Sequence, residues 1–353
     1  MNLPTTRKVL AVHGDGQLRR IEESMPELGK GMVMVKTGAS LVSPGSEFGG
    51  GWIALRQMQI HPEERPPKPF GYSSGGTVVT LGEGVDRFKQ GDRVCCIGAR
   101  YAQHADYSVV PQNMVFPIPE SMTFAQASYA MLLGTGLQAL RRGKPEMGEY
   151  VAVVGLGLVG LLTARLAELA GCRVIGWDTS PERLAYAAKL GIEATVQVGK
   201  EDPVDKTMEF TGGHGLDHGV IALGGDASRP YDSLMECMKV SPDGHAYGNI
   251  TIVGGADFHY KKNLSNVNIV RSSRTGPGYH DKAWERGASY PPVFVRWDTG
   301  RNIEYCLELV SNGRINVDAL TTHTIPFEKV EEQTTEATLN PETILGMVFE
   351  MDN

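Results

Sequence analysis

Short runs of alternating apolar and polar residues fill the first third of the chain. This alternation is typical of β-strands, and glycine pairs and prolines separate the runs at short intervals. Such spacing predicts a small barrel or sandwich of short strands rather than β-α-β units. We expect the strands at residues 31–36, 75–81, 92–97 and 105–110. A helical pattern follows within residues 121–142.

From Tyr150 onwards, strands alternate with helices. Residues 151–154 form a continuous apolar run, as expected of a strand buried on both faces. Leucines at helical spacing follow up to residue 169, which indicates an amphipathic helix. Alternation of strand and helix predicts right-handed crossovers, and therefore a doubly wound parallel sheet of the α/β class. Further strands are expected at 173–177, 194–198, 219–223 and 250–253, with a second helix at 183–190.

The C-terminal part returns to the earlier pattern. It contains one predicted helix, 300–310, and two predicted strands, 321–326 and 345–350. The simplest arrangement is a nucleotide-binding domain inserted into a second domain. We therefore expect residues 1–122 and 298–353 to build one domain and residues 123–297 to build the nucleotide-binding domain.

A glycine-rich segment lies between the predicted buried strand and its helix. Residues 155–160 have the sequence Gly-Leu-Gly-Leu-Val-Gly, which matches the pattern G-x-G-x-x-G. Between a strand and a helix, this pattern is typical of dinucleotide-binding sites. Gly155 permits a tight turn, Gly157 lets the backbone approach a pyrophosphate, and Gly160 allows close helix–strand packing. The helix N-terminus adds free N–H groups. The alternative interpretation is a glycine-rich turn that binds no ligand.

Asp178 stands 18 residues after Gly160, at the end of the next predicted strand. A carboxylate there accepts hydrogen bonds from ribose hydroxyls and repels a 2′-phosphate, which favours NAD over NADP. Asp178 also suits the cap of the following helix, while Arg183 is a cation able to accommodate a phosphate. The predicted cofactor-binding residues are Gly155, Gly157, Leu158, Val159, Gly160, Asp178, Thr179, Arg183, Gly224, Gly254 and Ser272.

Composition excludes several classes of protein. With 34 Lys and Arg against 41 Asp and Glu, the net charge of −7 gives no reason to expect a nucleic acid partner. The longest apolar stretch, 151–162, is too short for a membrane span, and no secretory signal is visible. Five cysteines without CxxC spacing indicate a reducing compartment. We expect a cytoplasmic protein with a small-molecule substrate.

Two further motifs give the chain a resemblance to the medium-chain dehydrogenase/reductase family. Residues 82–94 match the family pattern G-x-x-V-x-x-F-x-x-G-D-x-V, and residues 105–111 are similar to its A-E-Y-x-x-V-P strand. The resemblance covers nearly the whole chain. It implies a GroES-like β-barrel catalytic domain around a Rossmann domain, with the active site in the cleft between them. It also implies a homodimer or homotetramer.

The resemblance fails at the positions of the family's catalytic zinc ligands. The first ligand motif aligns with residues 44–47, where Pro44 replaces cysteine, and the second aligns with residues 71–73, where Tyr72 replaces histidine. The third ligand falls near Met131. Zinc prefers thiolate, imidazole or carboxylate ligands, so we expect no metal at this site. The cysteines of the family's structural zinc lobe are also missing.

Without zinc, a side chain must accept the proton of a substrate hydroxyl. Tyr72 takes the place of the lost histidine, and Glu47 that of a motif aspartate. Ser46 matches the hydroxyl that serves the family as a proton relay. His104 carries an imidazole, the side chain best suited to proton transfer near neutral pH. Tyr72 and His104 are the leading candidates for the base; a structural ion pair for Glu47 and a packed ring for His104 are the alternatives.

The C-terminal part has a narrower resemblance. Residues 270–279, 290–292 and 295–297, together with 43–47, resemble a zinc-less branch of the family seen in bacterial sugar and cyclitol metabolism. Aromatic faces suit the C–H surfaces of sugars, although isolated aromatic side chains are more often simply packed. The predicted substrate-site residues are Trp52, Ser73, Tyr279 and His280.

Three functions are compatible with these patterns. The leading hypothesis is a zinc-independent, NAD-dependent dehydrogenase acting on a secondary hydroxyl of a sugar, glycoside or cyclitol. The second is a zinc-free quinone or enone reductase using NAD(P)H, against which Asp178 argues. The third is a non-catalytic dinucleotide-binding protein, although the intact glycine motif and Ser46 favour an enzyme.

Overall fold

The computed structural model describes residues 3–53, 56, 61, 65–259 and 265–351. It divides into two compact units, one built from residues 1–131 with 276–353 and the other from residues 132–275. The strands are β1 (Thr6–Val12), β2 (Leu18–Ser24), β3 (Met32–Val42), β4 (Lys68–Pro69), β5 (Ser73–Leu81), β6 (Arg93–Ile97), β7 (Tyr107–Pro111), β8 (Val115–Pro117), β9 (Tyr150–Val154), β10 (Arg173–Asp178), β11 (Ala194–Gln197), β12 (His218–Ile221), β13 (Gly225–Asp226), β14 (Tyr247–Val253), β15 (Ala256–Asp257), β16 (Asn266–Ser272), β17 (Thr321–Pro326) and β18 (Gly346–Glu350). The helices are α1 (Phe124–Ala127), α2 (Ala130–Gly143), α3 (Leu158–Leu169), α4 (Pro181–Lys189), α5 (Pro203–Phe210), α6 (Ser228–Cys237), α7 (Lys282–Glu285), α8 (Thr299–Ser311) and α9 (Val330–Ala337). A π-helical turn, Pro44–Trp52, follows β3 and is called the π turn below.

The first unit, which we call the barrel unit, is built around β3. This long strand pairs antiparallel with β5, β7 and β18 in a seven-stranded sheet whose main path runs β17-β18-β3-β5-β6-β8. A smaller sheet has the order β2-β1-β4. Both strands of the C-terminal segment, β17 and β18, enter the larger sheet, so the N-terminal and C-terminal parts of the chain lie in one compact unit.

The second unit, the nucleotide unit, contains a six-stranded sheet with the order β11-β10-β9-β12-β14-β16. Every pair in it is parallel. The predicted doubly wound parallel sheet is therefore confirmed. The strand order reverses between β9 and β12, and in such sheets ligands bind at the carboxyl ends of the strands beside the reversal. A short parallel pair, β13 with β15, follows β12 and β14.

The helices of the nucleotide unit begin where capping chemistry dictates. Ser180 caps α4 by accepting a hydrogen bond from the Arg183 N–H, and Asp202 caps α5 in the same way from two N–H groups. A proline occupies the first turn of both helices, where its missing N–H costs nothing. By contrast, α3 has no side-chain cap, which leaves its first N–H groups available to a ligand.

The boundaries of the two units differ from the expected domain ranges. Residues 123–131 and 276–297, which we assigned to the nucleotide-binding domain, lie in the barrel unit. Hydrogen bonds explain the difference, because the Asn113 side chain donates to the carbonyls of Trp284 and Ala288. Trp284 itself packs in the core of the barrel unit. The segment after residue 276 is thus held by contacts that no local pattern reveals.

Within the described part of the chain, none of the helices is long and apolar enough to cross a membrane. All five cysteines are buried, and none of them forms a disulfide bond among the described residues.

Candidate cofactor and active sites

The glycine-rich turn connects β9 to α3 in the nucleotide unit. Gly155 has a φ of 89°, a conformation that favours glycine, and its N–H donates to the Trp177 carbonyl. Gly157 is the N-cap residue of α3, and Leu158 and Val159 begin the helix. The free N–H groups of this helix end therefore lie directly after the turn.

The available space differs between the other two glycines of the motif. A Cβ atom on Gly160 would overlap the carbonyl oxygen of Gly155, whereas one on Gly157 would meet no atom within 4 Å. Gly160 is therefore required by packing inside the turn. Gly157 has no such internal reason, and its backbone is open to the approach of an external group.

Asp178 ends β10, beside the turn, and is buried. Its Oδ2 accepts a hydrogen bond of 2.7 Å from the Leu156 N–H, and its Oδ1 accepts one of 2.9 Å from the Ser180 N–H. An Arg183 guanidinium nitrogen lies 3.7 Å from Oδ2. The carboxylate is thus fixed at the turn, with one cation beside it.

The other predicted cofactor residues also follow the carboxyl ends of parallel strands. Thr179 comes after β10, Gly224 after β12 and Gly254 after β14, while Ser272 is the last residue of β16. A Cβ on Gly224 or Gly254 would meet no atom within 4 Å. The buried Ser272 Oγ has no hydrogen-bond partner among the described residues. Open backbone, uncapped N–H groups and a fixed carboxylate together fit an adenine dinucleotide.

In the barrel unit, Tyr72 is surrounded by polar groups from the π turn. Burial, followed by the negative charge of Glu47, raises the pKa of the Tyr72 phenol well above its usual range. Hydrogen bonds with the Ser43 and Ser46 side chains oppose this rise but do not cancel it. The phenol is therefore neutral at physiological pH. This argues against Tyr72 as the base and suits it to act as a neutral hydroxyl.

His104 and Glu47 lie together behind this group. The His104 Nδ1 lies 2.8 Å from Ser40 Oγ, within hydrogen-bond distance, and its Nε2 lies 3.5 Å from Glu47 Oε1. The other carboxylate oxygen, Oε2, accepts a hydrogen bond of 2.7 Å from the Ser43 N–H. All of these side chains are buried. The structure therefore brings together the four predicted catalytic residues, with Ser46 as the exposed member.

The side chains at the family's zinc-ligand positions do not suit zinc. Pro44 offers no donor, Tyr72 is a neutral phenol, and Met131 offers a thioether. In the described ranges, no three His, Cys, Asp or Glu side chains form a group that could hold a metal ion.

The structure places the predicted substrate residues in different environments. Trp52 has no exposed surface and packs between Phe48 and Phe70, so it cannot offer its face to a sugar and that prediction is wrong. The fully buried Ser73 donates its hydroxyl to the Ser128 carbonyl at 2.6 Å, so it belongs to the core rather than to a substrate site.

Tyr279 and His280 lie together in the barrel unit, with 4.5 Å between their ring centroids. The Tyr279 phenol accepts a hydrogen bond of 2.9 Å from the Ala99 N–H and lies near enough to Tyr72 to contribute to its raised pKa. His280 is exposed and has a φ of 74°. The buried Glu285 holds this segment by accepting hydrogen bonds from the His280 N–H and the Tyr101 hydroxyl.

The sequence analysis missed Ser40, Ser43 and Glu285. Ser40 and Ser43 lie at the end of β3, close to the motif residues 44–47, and this proximity is a signal that could have found them. Glu285 offers no such signal, because its side-chain partner Tyr101 lies far away in the sequence.

Comparison with known proteins gives these two units a context. Models of the alcohol dehydrogenase GroES-like domain and of the zinc-binding dehydrogenase match residues 29–120 and 159–279, respectively. Sorbitol dehydrogenase of Mus musculus is 25% identical over 368 residues, which span 92% of this chain and 90% of that protein. A quinone oxidoreductase-like protein 2 homolog of Nematostella vectensis is 29% identical over 249 residues, 69% of this chain and 64% of its own length.

A solved structure gives the same picture of the fold. The alcohol dehydrogenase of Thermus sp. ATN1 matches with a TM-score of 0.76 at 19% identity, covering 98% of this chain and all of that one. The match confirms the expected combination of a GroES-like domain with a Rossmann-like parallel sheet. The chain belongs to the zinc-type alcohol dehydrogenase-like family of medium-chain dehydrogenases/reductases.

Proposed function

We propose that this oxidoreductase oxidises a secondary hydroxyl of a sugar, glycoside, cyclitol or related polyol with NAD and without a catalytic zinc. The observation that carries the proposal is the polar group around Tyr72. At the positions of the family's metal ligands the chain has a proline, a phenol and a thioether, and a hydroxyl, a buried carboxylate and an imidazole stand beside them. These are side chains that bind and move protons without a metal.

The nucleotide unit supports NAD as the cofactor. The uncapped N-terminus of α3 and Gly157 would bind the pyrophosphate, and Asp178 would accept hydrogen bonds from the adenosine ribose. A bound nicotinamide dinucleotide supplies a hydride acceptor. The buried Asp178 carboxylate repels a 2′-phosphate, while Arg183 next to it already pairs with that carboxylate.

The barrel unit supports a hydroxyl substrate. A neutral Tyr72 phenol both donates and accepts a hydrogen bond, so it can hold a substrate hydroxyl in place. Ser46 adds an exposed hydroxyl to the same group. Sorbitol dehydrogenase, a relative that acts on a polyol by its name, supports this substrate class.

One relative favours a second function. The quinone oxidoreductase-like protein 2 homolog matches over more than half of the chain, which keeps a zinc-free quinone or enone reductase as the alternative. The two functions differ in the acceptor of the hydride, because the alternative adds a hydride to an activated alkene or quinone instead of removing one from a carbinol.

A single set of assays separates these possibilities. Purified protein is incubated with NAD and a panel of sugars, glycosides, inositols and linear polyols, and in parallel with NADH or NADPH and quinones or enones. Its zinc content is measured, and the assays are repeated with a chelator. We expect NADH formation with a polyol, clearly less than one zinc per chain, and activity that survives the chelator. Stoichiometric zinc with chelator-sensitive activity, or reduction of quinones alone, would contradict the proposal.

A further inference from the structure

A buried array of three polar side chains lies behind the Tyr72 phenol. Ser40 comes from β3, His104 from the segment before β7, and Glu47 from the π turn. Ser40 Oγ lies 2.8 Å from His104 Nδ1 on one side of the imidazole. Glu47 Oε1 lies 3.5 Å from His104 Nε2 on the other side. Each member is at least nine-tenths buried. We call these residues the Ser-His-Glu array.

The surrounding chain fixes the histidine on every side. The His104 backbone N–H donates to the Phe70 carbonyl, and the His104 carbonyl accepts from the Leu10 N–H. The imidazole makes edge-to-face contacts with Phe70 and Phe349, each with 4.9 Å between ring centroids. Gly71, with a φ of 106°, makes room for it, because a Cβ there would lie 2.6 Å from the His104 nitrogen. The ring position is therefore set by the fold, and Glu47 is the charged group that it faces.

The central pair of atoms in the array is unsatisfied without a proton between them. His104 Nε2 and Glu47 Oε1 are buried, and neither has another hydrogen-bond partner among the described residues. A buried charge or polar atom without a partner is costly, so the arrangement is favourable when a proton is held between the two. A site that stores a proton in a fixed place is what a proton acceptor requires.

Hydroxyl groups lie between this pair and the surface. Ser46 is exposed and hydrogen-bonds Tyr72, and Tyr72 hydrogen-bonds Ser43. The Ser43 N–H in turn holds Glu47 Oε2. Among the described residues, Tyr72 is a titratable group that interacts with Glu47, and Tyr279 lies beyond it; Ser40 of β3 adds a hydroxyl, and Phe70, Phe349 and Leu10 contribute no charge.

The geometry points to the Glu47–His104 pair as the acceptor of the proton that leaves the substrate hydroxyl, with Tyr72 and Ser46 as the conduit and Ser40 as a positioning residue. This inference rests on the proposed dehydrogenase function. The substrate O–H bond breaks, and a new O–H bond forms at Glu47 and is shared with His104 Nε2, while the ring's own proton stays on Nδ1, which donates to Ser40 Oγ. Ser46 and Tyr72 each gain one proton and release one, whereas the Ser43 backbone N–H keeps its proton and only orients Glu47. The electron pair of the carbinol C–H bond leaves as hydride to the oxidant, a nicotinamide dinucleotide, and a carbonyl is formed.

Kinetics of the full-length protein test the role of the pair. Glu47→Gln keeps the shape of the side chain but cannot accept the proton, so we expect kcat to fall at least about 100-fold with little change in KM. The fall in kcat/KM toward acid pH should also disappear. His104→Asn should lower kcat and change the pH at which kcat/KM falls on the acid side. The matched control is His323→Asn, a half-buried histidine of the same unit that lies beside Thr322; it should leave kcat and the pH profile unchanged.

A Glu47→Gln variant with wild-type kcat and a wild-type acid limb would overturn the inference while leaving the proposed function intact. If this variant does not fold, Glu47→Asp replaces it. Aspartate keeps the negative charge but places it farther from His104. We therefore expect kcat to fall, while kcat/KM should still decrease toward acid pH. An unchanged kcat would again overturn the inference.

A measurement on the protein without cofactor tests the pair independently of any substrate. The ring nitrogens of ¹⁵N-labelled histidines are compared by NMR in the wild type and in Glu47→Gln at one pH. Removing the carboxylate that His104 Nε2 faces should shift the Nε2 resonance of His104 and leave the resonances of His323 in place. An unchanged His104 resonance would overturn the pairing. If the wild type oxidises no polyol, the proposed function fails, and this measurement still decides whether the two side chains share a proton.

Discussion

The Leu156 N–H donates a 2.7 Å hydrogen bond to Asp178 Oδ2, and so joins the glycine-rich turn to the acid at the end of the next strand. Two features that stand far apart in the sequence therefore form one structural group. Because the other oxygen of this carboxylate holds the start of α4 through the Ser180 N–H, both oxygens already have a fixed direction. A ribose would meet a carboxylate that needs no reorientation.

Replacing Asp178 with alanine separates its two possible roles. A hydrogen bond to a charged group contributes about 1.5–3 kcal/mol, so NAD affinity should fall roughly 10- to 100-fold. NADP affinity should stay the same or rise, because the repulsion of the 2′-phosphate is gone. Both dissociation constants are measured by calorimetry. The control is Asp202→Ala, which removes another helix cap of the same unit. Equal losses for NAD and NADP would leave Asp178 as a cap alone.

The two later glycines of the turn should respond differently to an added methyl group. Gly157→Ala meets no atom within 4 Å, so without nucleotide its free energy of unfolding should stay within about 1 kcal/mol of the wild type. NAD binding should nevertheless be lost, since the methyl group would occupy the space of the pyrophosphate. Gly160→Ala overlaps the Gly155 carbonyl and should destabilise the protein itself by about 1–3 kcal/mol.

Chemical denaturation and nucleotide titration measure both effects on the glycine variants. Gly29→Ala serves as the control, because a Cβ there also meets no atom within 4 Å. Normal NAD binding by Gly157→Ala would contradict the cofactor assignment.

Tyr72→Phe tests the neutral hydroxyl of the barrel unit. We expect kcat to fall at least about 100-fold, as for the loss of a proton-transferring group. Since burial and Glu47 raise the pKa of this phenol, the wild type should show no rise in activity near pH 10 from its ionisation. Tyr129→Phe is the matched control, because that buried phenol bonds only Thr321 in the described part of the barrel unit and should affect stability rather than kcat. A fully active Tyr72→Phe variant would remove Tyr72 from the site.

His218 makes the stability of the nucleotide unit depend on pH. Burial lowers the pKa of this imidazole to about 4, below the ordinary value of 6.5. Between these two values the unfolded chain binds a proton that the folded chain does not, so the free energy of unfolding falls as the pH drops from 6.5 toward 4. The full loss is about 3 kcal/mol, reached below pH 4.

Denaturation at pH 7 and at pH 4.5 measures this dependence on His218. His218→Gln should reduce the difference in unfolding free energy between the two pH values. The exposed His214, replaced in the same way, should leave that difference at its wild-type size. The assignment is wrong if the His218 and His214 variants show the same pH dependence.

Much of the fold was predictable because buried parallel strands carry their signal locally. The apolar run at 151–154 and the leucine spacing after it correspond to β9 and α3, and β17 occupies the predicted residues 321–326. The edge strand β16 was not predicted, because it buries little surface and contains Asn266 and Asn268 among its exposed positions. β1 was missed for a related reason: charged residues such as Arg7 interrupt its apolar pattern, although Arg7 is buried against Glu23.

The cofactor site and the group around Tyr72 also differ in how local their sequence signal is. Most cofactor residues come from one turn and the strand after it, so their spacing identifies them. The group around Tyr72 combines β3, the π turn, the segments around residues 72 and 104, and residue 279, which only the pairing of distant strands brings together. No periodicity in the sequence distinguishes Ser40 as the partner of His104, or Trp52 as a core residue rather than a substrate contact.

The position of β18 has a consequence for biosynthesis. This strand lies between β17 and β3 within the larger sheet, yet more than 300 residues separate it from the β3 residues that it pairs with. While the ribosome is still producing the nucleotide unit, the corresponding edge of β3 has no partner and exposes hydrogen-bonding groups to other nascent chains. The nucleotide unit, by contrast, draws all six strands of its sheet from one continuous stretch and can fold while translation proceeds. Chaperones that shield unpaired strands should therefore matter most for the half of this protein that is translated first and completed last.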